Sequence, residues 1–109
     1  MTGMNTTPNR RANARKVLRT IATVALPGAP AREVRTWDLG LDGMSLVSPK
    51  PIPPGTRCTV TLTLPGDTML SVPAKTIYCS LLGPEGVKVG VIFTGIDEQA
   101  ERAIRDFVA

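Results

Sequence analysis

Arg11 and Arg15 stand four residues apart in an N-terminal stretch of small residues, with Arg10 directly before the first of them, and further on the chain reads Asp38-Leu39-Gly40-Leu41-Asp42-Gly43. A guanidinium can fork onto two phosphate oxygens and also stack on a purine face, which a lysine ammonium cannot do. Asp38 adds a carboxylate that can accept a pair of hydrogen bonds, or can simply close a turn, because Asp and Gly dominate turns for backbone reasons. The charge is unevenly placed. Residues 1–35 carry seven Arg and Lys against Glu33 alone, a net +6, and residues 36–109 come to −2, which together give the +4 of the chain. A local positive end implies an anionic partner at one side of the molecule rather than a uniform nucleic-acid coat.

Other chemistries are poorly provided for. The chain has no His, no cluster of metal-ligand residues, no G-x-S-x-G and no P-loop, so nothing nominates a general base, an activated nucleophile or a metal site. The expectation is a protein that is not an enzyme and needs no cofactor. Cys58 and Cys79 lack C-x-x-C spacing and fall inside apolar runs, which fits buried thiols of a reducing cytosol better than a disulfide. No stretch reaches the roughly 18 apolar residues of a membrane span, and the start has no signal-peptide core. These features place the protein in the cytoplasm.

The elements that must position these residues follow from periodicity. From Val17 to Leu26, apolar Leu18, Ala22, Val24 and Leu26 share one parity, and Pro27-Gly28 ends a first strand. Arg32 to Trp37 makes a second, Asp38 to Gly43 a turn, and Met44 to Val47 a short third before four prolines among residues 49–54. Cys58, Val60, Leu62 and Leu64 alternate with Thr59, Thr61 and Thr63, which leaves no helical alternative. Thr68 to Cys79 reads as a fifth strand broken or bulged at Pro73, and Val87, Val89, Val91 and Phe93 share a face in a sixth. At the end Ala100, Ala103, Ile104, Phe107 and Val108 form one helical stripe, with Asp97 as N-cap and Glu98–Arg102 and Glu101–Arg105 as i,i+4 pairs. The fold class is therefore mostly β: a small six-stranded antiparallel β-barrel with one C-terminal α-helix. Residues 1–9 are expected to be a disordered arm and 10–109 the domain, with Arg10 to Lys16 too charged to bury and mobile until something binds. Trp37, Met44, Tyr78 and Phe93 are assigned to packing, and Lys75 and Lys88 to ordinary outward strand positions.

The R-x-x-x-R of Arg11 and Arg15, followed by the D-h-(S)-x-x-G turn of Asp38 to Gly43 between β-like runs, resembles the signature of PilZ domains, bacterial receptors for the second messenger cyclic di-GMP. The resemblance extends over residues 9–109, since the Val89 to Phe93 strand leads into a C-terminal helix in the expected order. It implies that Arg11 and Arg15 contact the phosphates and guanine faces, that Asp38 takes the guanine N1 and N2 donors, and that Gly43 permits a close backbone approach. A carboxylate suits a guanine edge, whereas adenine presents no such donor pair. Arg10, preceding the motif, goes in this family with an intercalated dimer of the dinucleotide. The chain departs at Gly40, where the family usually has Ser. A lost neutral hydrogen bond costs about 0.5 to 1.5 kcal/mol, and a glycine there is also free to adopt φ > 0 and reshape the turn.

The resemblance thus implies a cyclic di-GMP receptor whose N-terminal arm changes conformation on binding and which signals through an unidentified protein effector. Outputs in the family include motility, type IV pili, exopolysaccharide synthesis and biofilm formation. Two rivals differ in class. One is a PilZ-fold interaction adaptor that does not bind the dinucleotide, with Gly40 as the symptom. The other, a small β-barrel binding nucleic acid through its basic arm, is disfavoured; the Gly40-x-x-Gly43 spacing of a KH loop lacks the flanking helices that KH domains need.

Overall fold

A computed structural model describes residues 14–109. Seven strands and one helix follow one another: β1 (Arg15–Val17), β2 (Ile21–Ala25), β3 (Arg32–Gly40), β4 (Gly43–Ser48), β5 (Arg57–Leu64), β6 (Thr68–Gly83), β7 (Gly86–Phe93) and α1 (Glu98–Val108). All pairings are antiparallel, in the order β3-β2-β5-β6-β7-β4, and β4 returns to pair with β3. Six strands therefore close a barrel, and β1 is an added strand on the far end of β3. Closure removes the edges that an open sheet would expose.

The inside of the barrel is aliphatic. Leu39, Met44, Leu46, Val60, Val89 and Ile104 are all fully buried, in one cluster with Ala22, Val24, Val34, Leu62 and Val72. In β5 the apolar parity faces in and the threonines face out or sit half-buried, as period two demands. Helix α1 starts where Asp97 accepts a hydrogen bond from the Ala100 N–H at 2.7 Å, and it packs Ala100 and Ile104 into the same core against β3, β6 and β1. Of the two charge pairs expected on its outer face, Glu101–Arg105 is formed at 2.7 Å.

Three sequence expectations are corrected. The run from Val17 to Leu26 is two strands, because the interrupting residues Leu18 to Thr20 pass beside Thr36, whose buried hydroxyl donates to the Leu18 carbonyl while accepting from the Thr20 N–H at 2.9 Å. Arg15 and Lys16, expected in a mobile arm, are strand residues paired with Gly40 and Leu39. Pro73 neither breaks nor bulges β6, which runs unbroken for 16 residues. Its carbonyl accepts from the Thr94 N–H at 3.0 Å, just where β7 ends, so the missing proline N–H falls outside the β5–β6 ladder.

Candidate functional site

Asp38 is not in the turn; it is the antepenultimate residue of β3, and its direction is set by a bulge. Thr36 pairs with Leu46 and Asp38 with Ser45, so Trp37 is an extra residue on β3. Were Trp37 held in the ladder opposite Ser45 instead, parity would send Asp38 inward after Val34 and Thr36, both buried. The extra residue turns Asp38 out and returns Leu39 to the core, where it is fully buried. A second bulge, at Ile77 of β6, does the same for Tyr78. The two bulges flank one outward row that crosses four strands in register: Asp38, Ser45, Gly90, Tyr78.

This row is bonded from end to end. Asp38 Oδ1 accepts from the Ser45 backbone N–H at 3.0 Å, and the Ser45 Oγ and Tyr78 hydroxyls lie 3.1 Å apart. The Tyr78 ring lies across Gly90, where a Cβ would collide with it. At the Asp38 end, β1 brings Arg15 over the row. Its Nη1 donates to Asp38 Oδ1 at 3.4 Å, while Nε and Nη2 reach Asp42 Oδ1 and Oδ2, each at 3.4 Å. Asp38 Oδ2 receives no hydrogen bond from the described residues, and the side chain is 24% exposed.

Gly40 and Gly43 both lie outside the positive-φ region, which corrects the idea that a glycine at 40 reshapes the turn. Gly40 is required by contact instead: a Cβ there would come within 2.6 Å of the Ala14 carbonyl and 2.9 Å of Arg15 Cγ. Gly43 is buried, and a Cβ on it would strike the Val91 carbonyl. Its close backbone approach is to β7, with which it pairs at Ile92.

The sequence matches the PilZ domain family over residues 9–109. The chain belongs to the PilZ domain family. Solved structures with the same fold include the Bacillus subtilis inhibitor of motility MotI (DgrA), 12% identical with a TM-score of 0.79 over 91% of this chain and 49% of that one. The Borreliella burgdorferi PlzA protein in complex with c-di-GMP is 14% identical, with a TM-score of 0.70 over 98% of this chain and 44% of that one. The PilZ domain of Escherichia coli YcgR, with c-di-GMP, is 17% identical at a TM-score of 0.71, over 91% of this chain and 88% of that one. The chain spans about half the length of MotI and PlzA. No curated protein matches it.

Of the residues that the sequence nominates, this PilZ domain brings together Arg15, Asp38 and Gly40, and Gly43 faces Gly40 across the two-residue turn of the β3–β4 hairpin. Arg10 and Arg11 lie outside the described residues. Sequence reasoning missed Asp42, Ser45 and Tyr78. It also missed that Trp37 is half-buried as the ring beneath two cations, with the Arg19 guanidinium and the Lys88 ammonium each 4.6 Å from it. Beside that ring a hollow of about 790 Å³ is lined by Arg19, Ile21, Arg35, Trp37 and Leu82 among others. Only Asp42 carried a usable signal, as the second acid in a loop facing arginines. Among the described residues no group of His, Cys, Asp and Glu could hold a metal, and no helix is long and apolar enough to cross a membrane.

Proposed function

We propose that this PilZ domain is a cyclic di-GMP receptor in which Arg11 and Arg15 hold phosphate and guanine face, Asp38 holds the guanine N1 and N2 edge, and Arg10 joins them for an intercalated dimer of the ligand. Residues 10–109 form the domain, and the arm that carries Arg10 and Arg11 folds onto the barrel with the nucleotide. The observation that carries this reading is the outward Asp38 carboxylate beside the Arg15 guanidinium, with Oδ1 fixed by Ser45 and Oδ2 without a partner among the described residues. Two relatives of the same fold are named with c-di-GMP, and the guanidinium and carboxylate chemistry matches an anionic guanine dinucleotide. The altered face is then read by a protein effector, with motility the process that the likeness to MotI brings forward.

Calorimetric titration of cyclic di-GMP into the purified protein tests this. Binding with two nucleotides per domain is expected, lost with Arg11→Ala or Arg15→Ala. Asp38→Ala should abolish preference for guanine over adenine dinucleotides, and retained selectivity would refute its role. No heat at tens of micromolar would leave the family's fold serving as an interaction adaptor, the second reading, which the departure at Gly40 favours.

A further inference from the structure

We propose that Asp42 sets the affinity of the Arg15 site, because its carboxylate holds the same guanidinium edge that a ligand phosphate would take. This deepens the receptor reading and rests on it. Asp38 and Asp42 meet Arg15 differently. Asp38 receives one bond, from Nη1, and its own Oδ1 is anchored by Ser45. Asp42 receives two parallel bonds from Nε and Nη2, the fork with which arginine takes carboxylates and phosphates alike. A phosphate bound in that fork must displace Asp42.

The hairpin is built so that the acid can leave. The Asp42 backbone is tied down, since its carbonyl accepts from the Phe93 N–H at 3.0 Å. Its side chain is 40% exposed and makes no other hydrogen bond among the described residues. Rotation about the side-chain torsions therefore frees the fork without moving β3 or β4. The acid next to Gly43 and the glycine at position 40 act together: Gly40 lets β1 lie close enough for Arg15 to reach the loop, and Asp42 gives it an anion to hold there. Exposed ion pairs of this kind shift an equilibrium by up to about fivefold.

The experiment is a titration of cyclic di-GMP into four full-length proteins: the natural chain, Asp42→Asn, Arg15→Lys and the double substitution. Asp42→Asn should tighten binding by about two- to fivefold in the natural background. The gain should vanish with Arg15→Lys, which keeps the charge but cannot fork. Unchanged or weaker binding by Asp42→Asn overturns the proposal while leaving the receptor reading intact. An equal gain in both backgrounds also overturns it, since that marks long-range repulsion rather than competition for one edge. No heat from any of the four defeats the receptor reading, and this inference with it. If Arg15→Lys binds too weakly to titrate, water exchange of the Arg15 Nε proton, measured by NMR without nucleotide, decides: several-fold faster exchange in Asp42→Asn supports the fork, and unchanged exchange refutes it.

Discussion

Strands β5 and β1 belong to one sheet and are held by different forces. β5 pairs with β2 on one side and β6 on the other, and buries Cys58, Val60, Leu62 and Leu64. Among the described residues β1 pairs only with β3, over three residues, and leaves Val17 64% exposed. What ties β1 down is polar: Arg15 on Asp38 and Asp42, and Lys16 donating to the Phe107 carbonyl at 3.1 Å with its ammonium 5.1 Å from the Phe107 ring. Apolar burial is non-directional and has no replacement in water, so β5 is fixed. Partly exposed ion pairs are each worth up to about 1 kcal/mol and can be exchanged for a ligand's anion at little net cost. The region that can respond is the one the core does not own.

The sharpest way to break this comparison is a pair of truncations. Leu62→Ala in β5 should cost about 2 to 5 kcal/mol of stability in urea denaturation. A loss below about 1 kcal/mol would mean that the barrel wall is not the rigid partner. Arg15→Ala in β1 should lower the stability of the free protein by less than about 1 kcal/mol, yet cost at least about 2 kcal/mol of nucleotide affinity through its charge-assisted bonds; equal losses in both would make Arg15 structural. Gly40→Ser, which restores the family's usual residue, should not improve binding here. Its Cβ meets the Ala14 carbonyl at 2.6 Å, so β1 must lift, and the amides of the β1–β3 ladder should exchange about tenfold faster, roughly 1.4 kcal/mol. Slower exchange, or tighter binding, would show that the hydroxyl matters more than the contact.

The smallest effect concerns Cys58. Burial pushes its thiol above the ordinary value of 9.0, so the folded state keeps a proton that the unfolded chain releases. That contribution is complete below pH 9.0 and is lost as pH rises toward the folded value. Stability of the natural chain should therefore fall more steeply above that pH than stability of Cys58→Ala; parallel curves would contradict the burial. Half-buried Cys79 should react with a thiol reagent in the native protein well before Cys58.

Local signals in the chain were readable where the structure obeys local rules. The Thr and aliphatic alternation of β5, the Asp97 cap and the apolar stripe of α1 each depend on neighbours a few residues away, and each stands where the sequence puts it. Arg15 with Asp38 was legible only through resemblance, because nothing near either residue announces the other. The bulges at Trp37 and Ile77 were not legible at all. A bulge is a mismatch between two strands, and its position depends on how residues are counted across the barrel, as with Thr36 and Asp38 against adjacent Leu46 and Ser45. Pro73 misled for the same reason. Its identity is local, but whether its missing N–H matters depends on which neighbour strand that side faces. Asp42 was visible as an acid and read as part of a turn, since its role needs β1 folded back over the loop.

The extra residue at Trp37 also gives this stretch of chain one place where a residue can be lost without inverting the barrel wall. Removing Trp37 would leave a regular ladder, with Thr36 opposite Leu46, Asp38 still facing outward opposite Ser45 and Leu39 still inward opposite Met44. That deletion of one codon takes away the ring beneath Arg19 and Lys88, while inside and outside keep their places. Receptor face and barrel wall thus share one alternation, and Trp37 stands outside its count.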